Sequence, residues 1–354
     1  MATDMNLWLE QSGPAALILR EHLTPVEGPD GVFFPATFAA TEDKTFKGGY
    51  NIDTFADGTN ICLVDSVGSQ ANRIEPIFMK GEYCALVPRV TINAGRKINL
   101  LEAGHRAGDA IVRCSALQQD LQQAFRAAGK GNCEPLAKIA PTSCVFGAWD
   151  SRDTQTKLPR LIASTIRAYN VKQLRRSATY VPATEYVKDG LVDDPEGEKK
   201  EVQEQYAKRG FVHVPASAAP GGVIAMGGIR RDATLHLAAL RTVFAEDEAR
   251  TLVLRKYILG LAITAFTYLG SGYLRQGCNL VLDADKEREF KAVYPDGRRE
   301  DIAVTHAQAL EFAKAGAAEF VVGPSKEVFF DKERAKRDLS GDGARKPKAT
   351  AAKK

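Results

Sequence analysis

Apolar residues fall along this chain in short runs separated by polar, Gly- and Pro-rich stretches, a rhythm that predicts strands and helices in irregular alternation. Ile61-Cys62-Leu63-Val64 is an apolar run of strand length that closes on Asp65-Ser66. Both are good capping residues, so a strand leading directly into a helix is expected there. Over 105–125, Ala107, Ala110, Ile111, Cys114, Leu117, Leu121 and Phe125 return at helical spacing and predict the clearest helix of the first half. Residues 145–149 and 160–171 read as strands, 229–240 alternates like a strand, 246–269 reads as a long helix, and 278–283 is again strand-like. Pro295-Asp296-Gly297 predicts a hairpin turn, and a helix opening at Thr305 is expected to stop at Gly316.

Between these elements the pattern lapses. The opening, through about Thr59, has little regular period and carries Pro25, Gly28, Pro29, Gly31 and Pro35 among phenylalanines, which predicts one strand followed by long ordered loops. Residues 172–212 turn polar, and acidic around Asp193-Asp194-Pro195-Glu196, as an exposed insertion would. Residues 1–330 are expected to form one body and 331–354 a disordered basic tail. The irregular alternation fits an α+β sheet decorated with insertions better than a doubly wound one.

Composition adds little until it is divided along the chain. Of 354 residues, 44% are apolar and 26% charged, ordinary for a folded protein. The net charge of +4 resides in the tail, since residues 331–354 hold nine basic and four acidic side chains and residues 1–330 hold 39 basic against 40 acidic. A nucleic-acid partner would therefore need a local basic track. The six cysteines form no C-x-x-C pair and no signal peptide opens the chain, which favours buried thiols in a reducing cytoplasm. The five histidines are scattered, so no metal site is expected. The charge-free run from Tyr257 to Leu274 contains Gly270-Ser271-Gly272 and follows Arg255-Lys256, so a core helix is expected instead of a membrane span.

Local basic tracks do exist. On a helix starting near Ser66, Val67, Ala71, Ile74 and Phe78 line one face, while Ser66, Ser69, Gln70 and Arg73 line another at helical spacing. Hydroxyls, an amide and a guanidinium near a helix N-terminus suit a phosphate or sugar, although a capped helix with a solvated polar face explains them equally. Pro76 limits this helix to two or three turns. Residues 152–176 then hold Arg152, Lys157, Arg160, Arg167, Lys172, Arg175 and Arg176 against the single acid Asp153. In the strand there, period two sets Thr165, Arg167 and Tyr169 opposite Ile162, Ile166 and Ala168, either a single-strand-binding face or a solvated basic edge. The strand from Ile229 repeats the arrangement, with Arg230, Asp232, Thr234 and His236 on one face. Arg106, Asp109 and Arg113 fit a surface ion network, with His105 beside them.

Signatures of phosphate loops, dinucleotide folds, zinc proteases and serine hydrolases are all missing from the sequence. The pairs Gly221-Gly222 and Gly227-Gly228 read as turns or close-packing points.

Three linked segments carry a resemblance. Asp65-Ser66-x-x-Ser69-Gln70-Ala71-Asn72-Arg73, His105-Arg106-Ala107-Gly108-Asp109-Ala110, and Phe146-Gly147-x-Trp149-Asp150-Ser151 followed by Arg160 and Ser164-x-Ile166-Arg167-Ala168 resemble the type I-G (formerly I-U) Cas-seven-type CRISPR backbone family of the RAMP superfamily. The likeness runs in order from about Leu19 to Leu282. It implies an RRM-like (ferredoxin-like) antiparallel palm with finger and thumb insertions, repeated as a filament along a guide RNA. The insertion at 172–212 would be a thumb, a contact to a neighbouring copy or only an exposed loop. The implied role is non-enzymatic: gripping crRNA in a Cascade-like effector for target DNA recognition and antiviral defence, with no cofactor. The implied partners are other copies of itself, a Cas-five/Cas-six-type fusion, a large Cas-eight-type subunit and, indirectly, the Cas-three helicase-nuclease. Such a protein would hold its RNA through Ser66, Ser69, Gln70, Asn72, Arg73, His105, Arg106, Arg152, Arg160, Arg167, Tyr169, Arg230 and His236. The rival reading is a RAMP-type endoribonuclease cutting target RNA with Asp150 or an acid of residues 185–201.

Overall fold

Strand β1 (Ala16–Pro25) faces two environments because its side chains alternate: Leu17, Leu19 and Glu21 are buried, while Ile18, Arg20 and His22 are half-covered. The computed structural model describes residues 4–42, 45–197 and 199–342. In it β1 pairs with β6 (Ile229–His236), β6 with β3 (Ile162–Tyr169), and β3 with β2 (Asn60–Asp65). The other edge of β1 is shared by β8 (Glu289–Val293) along its first half and β7 (Cys278–Leu282) over Leu23 to Pro25. All these pairings are antiparallel. The sheet curls, and Arg275 beside β7 reaches the Val64 carbonyl of β2 at 3.0 Å.

One face of this sheet is packed. Leu17, Leu19, Ile162, Ala233, Leu235, Phe290 and Ala292 share a core with the helix α2 (Glu248–Thr267). That burial explains the long charge-free run, and among the described residues no helix is long and apolar enough to cross a membrane. Helix α3 (His306–Phe320) packs on α2, with Tyr257 stacked on Phe320 at 4.5 Å between ring centroids. Short helix α1 (Val67–Ile74) covers β3 on the same side. Toward β2 and β7 the core continues as a second cluster of Phe33, Tyr50, Cys62, Val64, Ile166, Ala168, Ile229, Cys278 and Leu280.

Between β3 and β6 the chain leaves the sheet as a two-stranded arm, β4 (Val171–Tyr180) against β5 (Val214–Ala225). This is the insertion expected at 172–212. It is more ordered than its polarity suggested, with a helix over Lys200–Lys208 toward its tip.

Several expectations are corrected. The helix read over 105–125 breaks into a 3-10 turn at Arg106–Gly108, a short helix at Ala110–Arg113 and a longer one at Gln118–Gly129. Arg106 has a positive φ of 54°, and Ser115 interrupts the ladder by bonding the Val112 carbonyl at 2.6 Å. Ala107, Cys114, Leu117, Leu121 and Phe125 still reach the core while Ala110 is exposed, so periodicity alone did not reveal the breaks. Residues 145–149, read as a strand, end a helix (Pro141–Phe146), because Pro141 occupies its first turn and Gly147 leaves it at φ 77°. Strand β6 stops at His236 and gives way to the short helix Leu237–Leu240.

Helix α3 runs past Gly316 to Phe320, because that glycine serves packing: an added Cβ would meet the Lys256 carbonyl of α2 at 3.2 Å. Residues expected to begin a disordered tail instead form a helix over Lys332–Asp342, started by Asp331 accepting the Arg334 amide at 3.0 Å. Asp338 anchors it to Arg113 at 2.6 Å. The rest of the basic tail lies outside the described residues.

Candidate nucleic-acid interface

The second face of the sheet lies opposite α1 and α2. Because strands alternate, it collects the polar residues of four strands. Register sets His22 opposite Arg230 and Arg230 opposite Arg167, a basic row of about 10 Å at ~4.8 Å per strand. The next row runs Glu289, Arg20, Asp232 and Thr165. Tyr169 lies two residues beyond Arg167 and donates no charge, yet it organises the row. The Arg230 guanidinium sits 4.9 Å from the Tyr169 ring centroid and donates to its hydroxyl at 2.8 Å.

The cations differ in availability. Arg230 also bonds Asp232 at 2.9 Å, and Arg20 spans Asp232 at 3.3 Å and Glu289 at 3.0 Å. Partial burial pulls the Arg20 guanidinium down, but its two carboxylates outweigh this and raise its pKa. Arg167 donates to the neutral Thr165 hydroxyl at 2.6 Å, and among the described residues it has no carboxylate within ion-pair distance. Its charge is therefore uncompensated, as a phosphate contact requires.

The helix-layer side is organised by Asp65, which is 1% exposed at the end of β2. It accepts from Ser69 Oγ at 2.7 Å, Gln70 Nε2 at 2.6 Å, Arg73 Nε at 3.2 Å and Arg275 at 2.6 Å. Ser66 caps the helix, accepting the Ser69 amide at 3.3 Å, and Gln70 passes the network on to Ser164 at 3.0 Å. Two guanidinium groups on one carboxylate leave a surplus positive charge at this corner. Arg73 also borders a cleft of about 640 Å³ between α1 and residues 268–274, with Lys80 and the buried pair Glu21–Arg231 in its wall. Burial holds Arg231 below its ordinary pKa against the pull of Glu21.

The expected site residues thus divide. Arg167, Tyr169 and Arg230 come together on the open face, while Ser66, Ser69, Gln70 and Arg73 lie across the sheet beside Ile166, which alternates with Arg167. They do not form one straight stripe, but the β2–α1 corner joins them, since Leu63 pairs with Arg167 two residues before Asp65. Arg106 is 4% exposed, ion-paired to Glu75 at 2.7 Å and bonded to Asn72 at 3.4 Å. It is a structural cation. Asp109 does not bridge the neighbouring arginines; it caps Ile111 at 3.1 Å, and Arg113 turns to Asp338. Arg160 is half-buried on the Phe146 carbonyl at 3.0 Å, and burial together with nearby Arg106 lowers its pKa. His105, Arg152 and His236 are exposed, His236 at the last position of β6.

Sequence reasoning missed Arg20, His22 and Lys291 on the open face and Arg275 at the Asp65 corner. Leu17 to Leu23 alternates well enough to have exposed the first two. Nothing local marks Arg275, which arrives by long-range folding.

With this geometry in hand, comparison with known families is informative. Residues 17–173 match the family model described as CRISPR-associated protein GSU0053. The matched stretch takes in β1, β2, α1 and β3, including the Asp65 corner and Arg167. No curated protein matches the chain.

Proposed function

The chain is a CRISPR-associated protein, and on that premise we propose that it grips the ribose-phosphate backbone of a guide RNA as one of several identical subunits of a type I-G Cascade-like effector. The carrying observation is the open sheet face, where Arg167 keeps an uncompensated charge beside His22, Arg230 and the Tyr169 ring. Guanidinium groups hold phosphates bidentately, and an aromatic face accepts a base of any sequence. Contacts of this kind fix position without reading sequence, which leaves the bases free to pair with target DNA.

The strand order β8–β1–β6–β3, with helices on one face, is the order a ferredoxin-like palm would have, and the β4–β5 arm is a separate two-stranded sheet inserted between β3 and β6. This supports an RRM-like palm with the arm as a thumb or finger. The bound strand crosses the open face and turns the β2–α1 corner to Ser66 and Arg73. Neighbouring copies, the Cas-five/Cas-six-type and Cas-eight-type subunits and the Cas-three nuclease are the partners of this reading. The cytoplasm is its compartment.

A non-enzymatic role is part of the proposal. Asp150, one of the acids considered for nucleolysis beside those of residues 185–201, is 4% exposed and accepts both the amide (2.9 Å) and the hydroxyl (2.7 Å) of Thr154, a turn-forming duty. The test is size and absorbance ratio of the protein purified with and without its guide RNA. Stoichiometric RNA and a multimer are expected with guide present. A monomer free of RNA overturns the proposal, and periodic cleavage of complementary RNA with a divalent ion replaces it by the endoribonuclease reading.

A further inference from the structure

The two tryptophans have opposite fates. Trp8 is 5% exposed in the core, whereas Trp149 is 57% exposed. An indole left in water forgoes the stabilisation that burial would bring. Its backbone is nevertheless pinned. Trp149 forms an antiparallel bridge with Lys157, the Leu158 amide donates to the Ala148 carbonyl at 2.8 Å, and the Asp150 amide donates to the Thr156 carbonyl at 2.9 Å. The 3-10 turn after His105 seats against the hairpin so closely that a Cβ on Gly108 would lie 2.8 Å from the Trp149 carbonyl.

Charge around the ring is sorted. Both acids of the hairpin are directed away from the surface: Asp150 is buried in its turn, and Asp153 lies 4.0 Å from Arg113. Lys157 Nζ lies over the indole, 5.9 Å from its centroid, and Arg152 and His105 are exposed. An exposed aromatic face with one ammonium at cation–π distance and the acids of its hairpin withdrawn matches one nucleotide: base on the ring, phosphate on the ammonium.

We infer that Trp149 is a stacking platform for a single unpaired base, with Lys157 on the adjoining phosphate. This rests on the reading of the chain as a single-strand binder, but uses a separate surface: the hairpin lies beside α1, where Gly147 and Asn72 both bond Arg106, and not on the open sheet face. It gives the strand a second anchoring point.

Because Trp8 is buried, red-edge emission of the full chain reports on Trp149. Titration with a short oligoadenylate is expected to quench that emission saturably, while an abasic ribose-phosphate oligomer binds without quenching. Trp149→Ala is expected to weaken oligoadenylate binding about fivefold or more, from the ~1–3 kcal/mol of one base–aromatic stack. Its affinity for the abasic oligomer should stay unchanged, which a folding defect would not allow. If saturating oligoadenylate leaves Trp149 emission unaltered while Arg167→Ala weakens binding, the stacking site is overturned and the sheet-face reading stands. If quenching persists and Arg167→Ala has no effect, the reverse holds. A shift of emission with protein concentration alone, insensitive to oligonucleotide, also overturns the inference in favour of a protein contact.

Discussion

Asp65 and Arg275 are 210 residues apart in sequence and 2.6 Å apart in space. Their contact ties the end of β2 to the hairpin before β7, and with Arg73 it makes a buried carboxylate answer two guanidinium groups. Removing the acid leaves those cations facing a buried, uncompensated site. Asp65→Asn is therefore expected to cost about 3–5 kcal/mol in urea unfolding. Arg275→Ala removes one partially exposed partner and should cost less. Equal midpoints for wild type and Asp65→Asn would show that the corner contributes nothing.

On the proposed reading, the open face and the corner make separable contributions to RNA binding. Each phosphate contact on a single strand contributes about 0.7 to the slope of log K against log salt. Arg167→Ala and Arg73→Ala should each lower the slope by about that amount, equally for guides of different sequence, and their effects should add. A loss confined to particular guide sequences would contradict backbone recognition. A slope unchanged by Arg73→Ala would keep the strand from turning the corner.

How far the sequence alone reaches is plain from these same residues. Period two placed Arg167 with Tyr169, and Arg230 with Asp232, each on one face of its own strand because strand geometry is local; the β3–β6 register joins the two faces. Helical spacing found the Ser66–Arg73 stripe, with α1 ending before Pro76 as proline requires. Spacing could not say that this stripe closes on its own Asp65, nor that Arg106 is an interior ion. Both depend on partners, Arg275 and Glu75, that only the fold supplies. The broken helix at 106–129 misled for a related reason: turns deliver apolar residues to a core as faithfully as a continuous helix does.

The Glu75–Arg106 pair predicts a pH effect. Burial pushes the Glu75 carboxyl up to about 7 despite the opposing pull of Arg106. Since the folded protein then binds this proton more tightly than the unfolded chain, stability from this group is complete below about pH 4.5. It is lost as pH rises toward 7, by about 3 kcal/mol at most. Glu75→Gln carries no such proton. The difference in unfolding free energy between the two proteins should therefore move in favour of Glu75→Gln across that window, and a flat difference would refute it.

Helices α2 and α3 approach so closely that Gly260 leaves no space for a side chain. A Cβ there would stand 2.7 Å from the Ala313 Cα, a backbone atom that cannot swing away as a side-chain end could. Gly260→Ala gains intrinsic helix propensity of roughly 1 kcal/mol, which by itself would stabilise. Overpacking a filled core costs about 1–3 kcal/mol, and here the neighbour is a helix already stacked through Tyr257 and Phe320. The clash should prevail, so a lowered melting temperature is expected. Ala313→Gly, by contrast, keeps the Cα in place and should not rescue Gly260→Ala. If it does rescue, the strain lies in side-chain packing and not in the approach of the two backbones.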